Sequence, residues 1–434
     1  MLAPRYKLVS RRNRVATAPP RWRSPGVLSG ERGTDLARQR HNRPMAIYLD
    51  HAATTPLHPE VLEAMLPYLR EHHGNPSSIH ASGRRARQGI DEAREEIAAL
   101  IGAKPREIVF TSGGTEANNL AVKGMAWAGS ARGRHIVTTA IEHKGVLNAC
   151  AALERTGFEV TYLPVDRFGR VDPDDVHAAI TPRTTLVTIM AANNEVGTLQ
   201  PVAEVGAVCR AAGVPFHSDA IQYAAFHPTP VDAWQLTAMS LCAHKAYGPK
   251  GVGALYVRQG TAMVPQQQGG SQERQRRAGT EDVASIVGFA AAVRRLSADG
   301  ARRAAENERQ AALRDRLIAG ATALRGVELT GDPEERLPNS ASFVVEGIQG
   351  GDLVAALDLE DVEASTGSAC STGSTEPSHV LLAMGVAPEL ARGSIRVTVG
   401  EGTTTEDVDH ALEVLGSGVT RLRGAGMVAA LARA

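Results

Sequence analysis

The sequence predicts an α/β protein in which a large domain with a mostly parallel sheet flanked by helices is followed by a smaller α+β domain. Two observations predict this. Between residues 107 and 257, short apolar runs alternate with helical patterns, and after residue 280 long helices are separated by isolated strands. The expected organisation is a basic, disordered extension at 1–44, a large domain at 45–300 and a small domain at 301–434.

Taken in order, helical patterns at 58–72 and 79–101 come first, then a buried strand in "EIVFTS" at 107–112. A helix at 115–127, the strand "HIVTTA" at 135–140, a helix at 144–156 and "EVTYLPV" at 159–165 continue the alternation. "TTLVTIMAA" at 184–192, a helix at 201–212, "VPFHSDA" at 214–220, "AMSLCAH" at 238–244 and "VGALYV" at 252–257 complete it. Strand then helix, repeated, is the pattern of a parallel sheet covered on both faces. The second part reads as helices at 283–296 and 302–324, the strand "SASFVVEG" at 340–347, and a helix near 351–359. A helix at 377–384, "GSIRVTVG" at 393–400 and a helix near 405–422 follow.

Composition narrows the function classes. The 434 residues are 43% hydrophobic and 22% charged with a formal net charge of zero, so nothing global argues for a nucleic-acid partner. No apolar run approaches the roughly 18 residues that span a membrane. Four cysteines without zinc spacing point to free thiols in a reducing compartment, taken as the cytoplasm. Cys150 and Cys209, in alanine-rich helical contexts, read as small core residues. The first 44 residues hold ten arginines and one lysine against two acids, a net of +9, with poor periodicity and scattered prolines. Folded sequence is expected to begin near Met45.

In a sheet of this kind, ligands sit beyond the carboxyl ends of the strands. The strand at 107–112 runs into "TSGGTEANN", where Gly113 and Gly114 permit a sharp turn and Thr115 opens a helix. Such a turn either binds an anion through free N–H groups or is a plain helix cap. His143 follows the next strand. Asn193 and Asn194 follow 184–192 and suit either a polar ligand or a structural turn. Asp219 ends a buried run, so its carboxylate needs a cationic or N–H partner, with Gln222 three residues on. Lys245 comes directly after a buried strand, where desolvation would free its amine as a nucleophile, whereas Lys250 lies in a Gly-Pro turn facing solvent. An anion cradle, a histidine, an amide, a carboxylate and a lysine at one sheet edge suit pyridoxal phosphate.

These residues lie in stretches that resemble a known family. "YLDHAATTP", "GNPSSIHASGR", "TSGGTEANN", "EHKGVLNAC", "NNEVGTLQP", "HSDAIQ", "AHKAYGPKGVGALYV", "RRAGTEDV", "STGSACSTGSTEPSHVL" and "SIRVTVG" occur in this order. The chain from about Met45 to about Arg423 thus resembles the cysteine desulfurases of the NifS/IscS type, class-V aminotransferase-like enzymes of the fold-type-I pyridoxal phosphate group. The resemblance implies that Lys245 holds the cofactor as an imine, Asp219 pairs with its ring nitrogen and Gln222 bonds its ring hydroxyl. It implies that His143 stacks on the ring and assists proton transfer. Gly114, Thr115, His244 and the residue at 242 would bind the phosphate, and Thr280 would reach the phosphate of a neighbouring subunit in a homodimer. Asn194 and Arg396 would hold the substrate carboxylate. Cys370 would attack the sulfur of L-cysteine and carry it as a persulfide to an acceptor, an iron–sulfur scaffold or a tRNA-thiolation enzyme. No resident metal is implied, and Cys370 is the one candidate ligand for a transiently held iron–sulfur cluster.

One position departs from the family pattern: Cys242 stands where serine is usual, and a thiol is a weak donor to phosphate. Thr366 also replaces a commoner serine. The run "STGSACSTGS" at 365–374 has no bulky side chain, which suits an arm carrying Cys370 between substrate and acceptor. A selenocysteine lyase, an aminotransferase on the same fold or a sulfur-relay scaffold are the competing readings. An aminotransferase needs no such thiol, and the intact lysine, aspartate and histidine set speaks against a scaffold.

Overall fold

The computed structural model describes residues 46–297, 300–367 and 376–431. The basic extension expected at 1–44 and the thiol of Cys370 lie outside the described residues. In chain order the elements are β1 (Ile47–Tyr48), α1 (Pro59–Arg70), α2 (Ala81–Ile101), β2 (Ile108–Thr111), α3 (Gly114–Gly129), β3 (His135–Thr139), α4 (Lys144–Glu154) and β4 (Glu159–Leu163). Next come α5 (Pro173–Ala179), β5 (Thr184–Thr188), α6 (Val202–Ala211), β6 (Phe216–Asp219), β7 (Ala238–Cys242) and β8 (Gly253–Val257). The chain continues as α7 (Val283–Ser297), α8 (Gly300–Thr322), β9 (Val327–Leu329), β10 (Ser340–Val345), α9 (Gly350–Asp358) and β11 (Val362–Glu363). It ends with α10 (His379–Ala383), α11 (Pro388–Ala391), β12 (Ser394–Thr398) and α12 (Thr405–Leu431).

Seven strands form one sheet in the order β2-β8-β7-β6-β5-β3-β4. The pairs from β7 through β4 are parallel, while β8 runs antiparallel to both β2 and β7. Strands β3 and β5 to β8 are buried at every residue, as strands covered on both faces must be. One face packs on α2 and α7 through Ile90, Ile97, Phe216 and Phe289. The other packs on α3 and α4 through Leu120, Met125, Leu153 and Leu255. Cys150 and Cys209 are buried in these two cores, as their sequence contexts predict.

Polar residues inside these strands pair among themselves. His217 Nδ1 lies 2.8 Å from Thr188 Oγ1 and its Nε2 lies 2.9 Å from Ser240 Oγ, a bridge across β5, β6 and β7. Burial pushes His217 down to about 3, so the ring is neutral and serves as a satisfied core group.

A second sheet, β12-β10-β9, is antiparallel and packs on α8, α9 and α12 through Leu317, Phe343, Leu357, Ile395 and Leu415. Strand β1 crosses the expected domain boundary. It pairs in parallel with β11, and Leu49 is fully buried in the core of the second sheet. Two residues are too few to show alternation, so pairing that spans the whole chain left no local trace. The short elements α5, α11 and β9 escaped for the same reason. The helix expected from 377 begins at His379, because Ser378 caps it by accepting from Val380 N and Leu381 N.

Candidate active site

The carboxyl ends of the parallel strands open into a cavity of about 280 Å³, near the lower end of the roughly 300–1,000 Å³ usual for small-molecule sites. Each strand delivers one part of it. After β2 the chain turns at Gly113, whose φ of 150° lies in a region that favours glycine. A Cβ on Gly114 would sit 2.1 Å from Ile221 Cδ1, so a side chain there would have to displace the tip of Ile221 in the turn after β6. The first amides of α3 and the exposed Thr115 then border the cavity. Glu116 fixes this turn by accepting from Ser112 N at 2.7 Å and from Arg277 Nε at 2.9 Å.

After β3, His143 caps α4: its Nδ1 accepts from Gly145 N at 3.0 Å. A ring that accepts at Nδ1 carries its proton on Nε2 when neutral. Glu142 beside it is fully buried. After β5 the two asparagines divide the alternatives left open by their sequence. Asn193 is structural, donating to Ile141 O at 3.0 Å and accepting from Glu195 N and Val196 N. Asn194 lines the cavity, and its carbonyl accepts from Arg396 Nη1 at 2.7 Å.

Asp219 ends β6 with 6% exposure. The N–H partners that its burial demands are Asn118 Nδ2 at 2.6 Å and Ile221 N at 3.1 Å. After β7 come Cys242, His244 and Lys245, all lining the cavity. Burial raises the Cys242 thiol to about 11 against the pull of Lys245, so the group stays protonated. Burial also lowers His244 to about 4, helped by Lys245 and Lys250, and the neutral ring lies 3.2 Å from Thr54 Oγ1. Lys245 Nζ donates to Ala52 O at 2.5 Å and Ala53 O at 2.6 Å, and Gln222 Nε2 donates to Ala52 O at 2.9 Å. Lys250 is exposed, as expected.

The geometry can bind an anion at the α3 end and hold a carboxylate in a dry setting. It can also present an amine between them. The model of the aminotransferase class-V family matches residues 47–411. The cysteine desulfurase IscS of Dictyoglomus turgidum is 51% identical over 378 residues, 87% of this chain and 95% of that protein. The chain belongs to the class-V aminotransferases, among the NifS/IscS-type cysteine desulfurases.

Two solved structures extend the likeness of this class-V chain. A NifS-like protein is 37% identical with a TM-score of 0.82, covering 87% of this chain and 100% of that one. SspA in complex with cysteine is 37% identical with a TM-score of 0.73, covering 81% and 98%. Among the residues singled out from the sequence, Thr280 stands apart: it is exposed and does not line the cavity. Sequence reasoning missed Asn118 and Asp50. Asn118 lies one helical turn after Thr115 in the quoted "TSGGTEANN", a spacing that could have placed it on the same face. Asp50 pairs with Arg396 across 346 residues, which no local pattern reveals.

Proposed function

We propose that the protein is a pyridoxal-phosphate-dependent cysteine desulfurase that converts L-cysteine to L-alanine and leaves the sulfur as a persulfide on Cys370. The observation that carries this reading is the meeting, in one cavity, of Lys245, the buried Asp219 and the open first turn of α3. These match the aldehyde, the ring nitrogen and the phosphate of the cofactor. Bound there, the cofactor supplies an aldehyde that takes up the substrate amine and a ring that draws electrons from the α-carbon, making its proton acidic.

The chain's own residues do the rest. Lys245 provides the amine that holds the cofactor and serves as a base for a released α-proton. Asp219, oriented by Asn118 and Ile221 N, favours a positive charge opposite it. Gln222 serves the ring hydroxyl, and His143 holds a proton at Nε2 toward the cavity. Gly114, Thr115, Cys242 and His244 serve the phosphate, with Thr280 serving that of a second copy in a homodimer. Arg396 and Asn194 hold the substrate carboxylate. The thiolate of Cys370 attacks the substrate sulfur. An S–S bond forms, the C–S bond breaks, and its electron pair goes to carbon, which takes a proton and leaves as alanine. The persulfide sulfur then passes to an acceptor protein, an iron–sulfur scaffold or a tRNA-thiolation enzyme. In this reading residues 45–300 form the cofactor domain and 301–434 the domain that carries Cys370.

The test is incubation of the holoenzyme with L-cysteine, followed by amino-acid analysis and mass spectrometry of Cys370. Alanine together with a gain of one sulfur on Cys370, absent in Cys370→Ala, is the expected result. Release of a keto acid, or no added sulfur, overturns the reading.

A further inference from the structure

A second cavity, of about 420 Å³, shares only Lys245 and Gln222 with the catalytic one. Its volume lies within the roughly 300–1,000 Å³ usual for small-molecule sites. Its walls come from the N-terminal half of α8, from Ala225 and Phe226 after β6, and from Val399 and Glu401 after β12. Gly114, Thr115, Asn194, Asp219 and Arg396, which face the catalytic cavity, do not line it. A helix repeats every 3.6 residues, so Arg303, Glu306 and Gln310 fall on one face of α8, and all three belong to this wall.

The charges on the wall do not cancel. Arg309 pairs with Glu306 at 2.7 Å and Arg295 with Glu401 at 2.9 Å. Arg303 has no carboxylate partner among the described residues: its Nη2 donates to Ala224 O at 2.8 Å, and its buried Nε has no acceptor. A half-buried guanidinium without a counter-charge calls for an anion.

The uncharged groups call for the opposite. Gln310 Nε2 donates to Glu306 Oε1 at 2.8 Å, which fixes the amide and leaves its oxygen without a partner. Asn339 Nδ2 is spent on Val399 O at 3.4 Å, and Asn339 Oδ1 has no partner either. Both residues line the cavity and are 3% exposed. Buried acceptors of this kind demand a donor. An anion alone answers Arg303 and leaves the two amide oxygens bare. A cation alone is repelled by Arg303, and water brings no counter-charge.

We infer that this cavity is a second binding site, for a free α-amino acid, with its carboxylate on Arg303 and its ammonium on the amide oxygens of Gln310 and Asn339. Such a zwitterion carries an anion and three N–H donors on one carbon, the two chemistries that the wall lacks. The inference goes beyond the desulfurase reading and uses neither Cys370 nor turnover.

The experiment counts bound L-alanine in the full-length holoenzyme. Equilibrium dialysis of the labelled amino acid gives the total. The absorbance of the cofactor, which an amine displacing Lys245 perturbs, gives the share held in the catalytic cavity. The expected result is label in excess of the cofactor signal, rising to one further equivalent per chain. In Arg303→Met the excess should bind about tenfold more weakly, the weight of a charge-assisted hydrogen bond, and in Gln310→Leu about fivefold more weakly. Half-saturation of the cofactor signal should stay within about twofold of wild type in both. Acetate, a carboxylate without a donor, should displace the excess label at least about tenfold less well than unlabelled L-alanine. Label that never exceeds the cofactor signal means a cavity filled by water and overturns the proposal. So does an excess unmoved in either variant, and acetate that competes as well as L-alanine overturns the amino-acid assignment. If Gln310→Leu does not fold, Arg303→Met, a change at a half-buried side chain, decides alone. A protein without a cofactor band sinks the functional reading instead, and the total label in Arg303→Met against wild type still decides this one.

Discussion

Arg396 and Asp50 form an ion pair at 2.8 Å inside the cleft, with the arginine side chain 2% and the aspartate side chain 20% exposed. The guanidinium thus reaches the cavity already held, by Asp50 at Nη2 and by the Asn194 carbonyl at Nη1. The buried Nε has no hydrogen-bond partner among the described residues. A fork fixed at two corners would meet the substrate carboxylate proposed for it without rotamer searching.

Asp50→Ala removes one corner of that fork. The expected result is a KM for L-cysteine raised about tenfold with kcat within about twofold, since orientation of a binding group is lost and the reacting groups are untouched. Steady-state alanine release measures both constants. An unchanged KM would show that Asp50 only neutralises Arg396.

Asp219 receives its shortest hydrogen bond from Asn118 Nδ2, at 2.6 Å. Asn118→Ala leaves the carboxylate with the Ile221 amide as its remaining donor among the described residues, a loss worth about 1–3 kcal/mol. Cofactor affinity should weaken by about tenfold or more on that scale. Retention of the cofactor absorbance through gel filtration reports it, and full retention would refute the role given to Asn118.

Cys242 closes β7 beside the start of α3, its Cβ lying 3.8 Å from the Cβ that Gly114 lacks. Burial keeps its thiol protonated, but sulfur is a weak donor. Cys242→Ser should hold the cofactor as tightly as wild type or up to a few-fold tighter, about the worth of one hydrogen bond. Equilibrium dialysis against free cofactor checks this, and clearly weaker binding would count against the phosphate role of position 242.

Glu142 carries a stability penalty with a definite sign. Its Oε1 accepts from Thr139 Oγ1 at 2.7 Å and from Met190 N at 2.9 Å, while Oε2 has no partner among the described residues. Burial raises it from 4.5 to about 8, opposed by those two hydrogen bonds. Between these values the unfolded chain has released the proton and the folded one retains it, so stability falls as pH rises across that window. Glu142→Gln keeps both hydrogen bonds and abolishes the titration. The variant should melt close to wild type near pH 5 and a few degrees above it near pH 8, for a difference on the order of a few kcal/mol. Parallel melting curves across that range would contradict it.

The sequence by itself determined the large sheet, its helices and the strand ends that carry chemistry. Fully buried parallel strands read as apolar runs, glycine turns mark their exits, and lysine or aspartate just beyond them has one plausible direction to face. His143, Asn194, Asp219, Gln222 and Lys245 were visible on that ground, because each ends a strand or follows one within a few residues, whereas Cys242 and His244 came from the family resemblance. The tertiary structure alone decided what those groups touch. The carbonyls of Ala52 and Ala53 reach Lys245 across nearly two hundred residues, and β1 pairs with β11 across more than three hundred. Asp50 meets Arg396, and Glu195 meets Ser378, over similar separations. Such contacts follow from how the two sheets pack, and a local pattern of two or three residues carries no record of a partner so far along the chain.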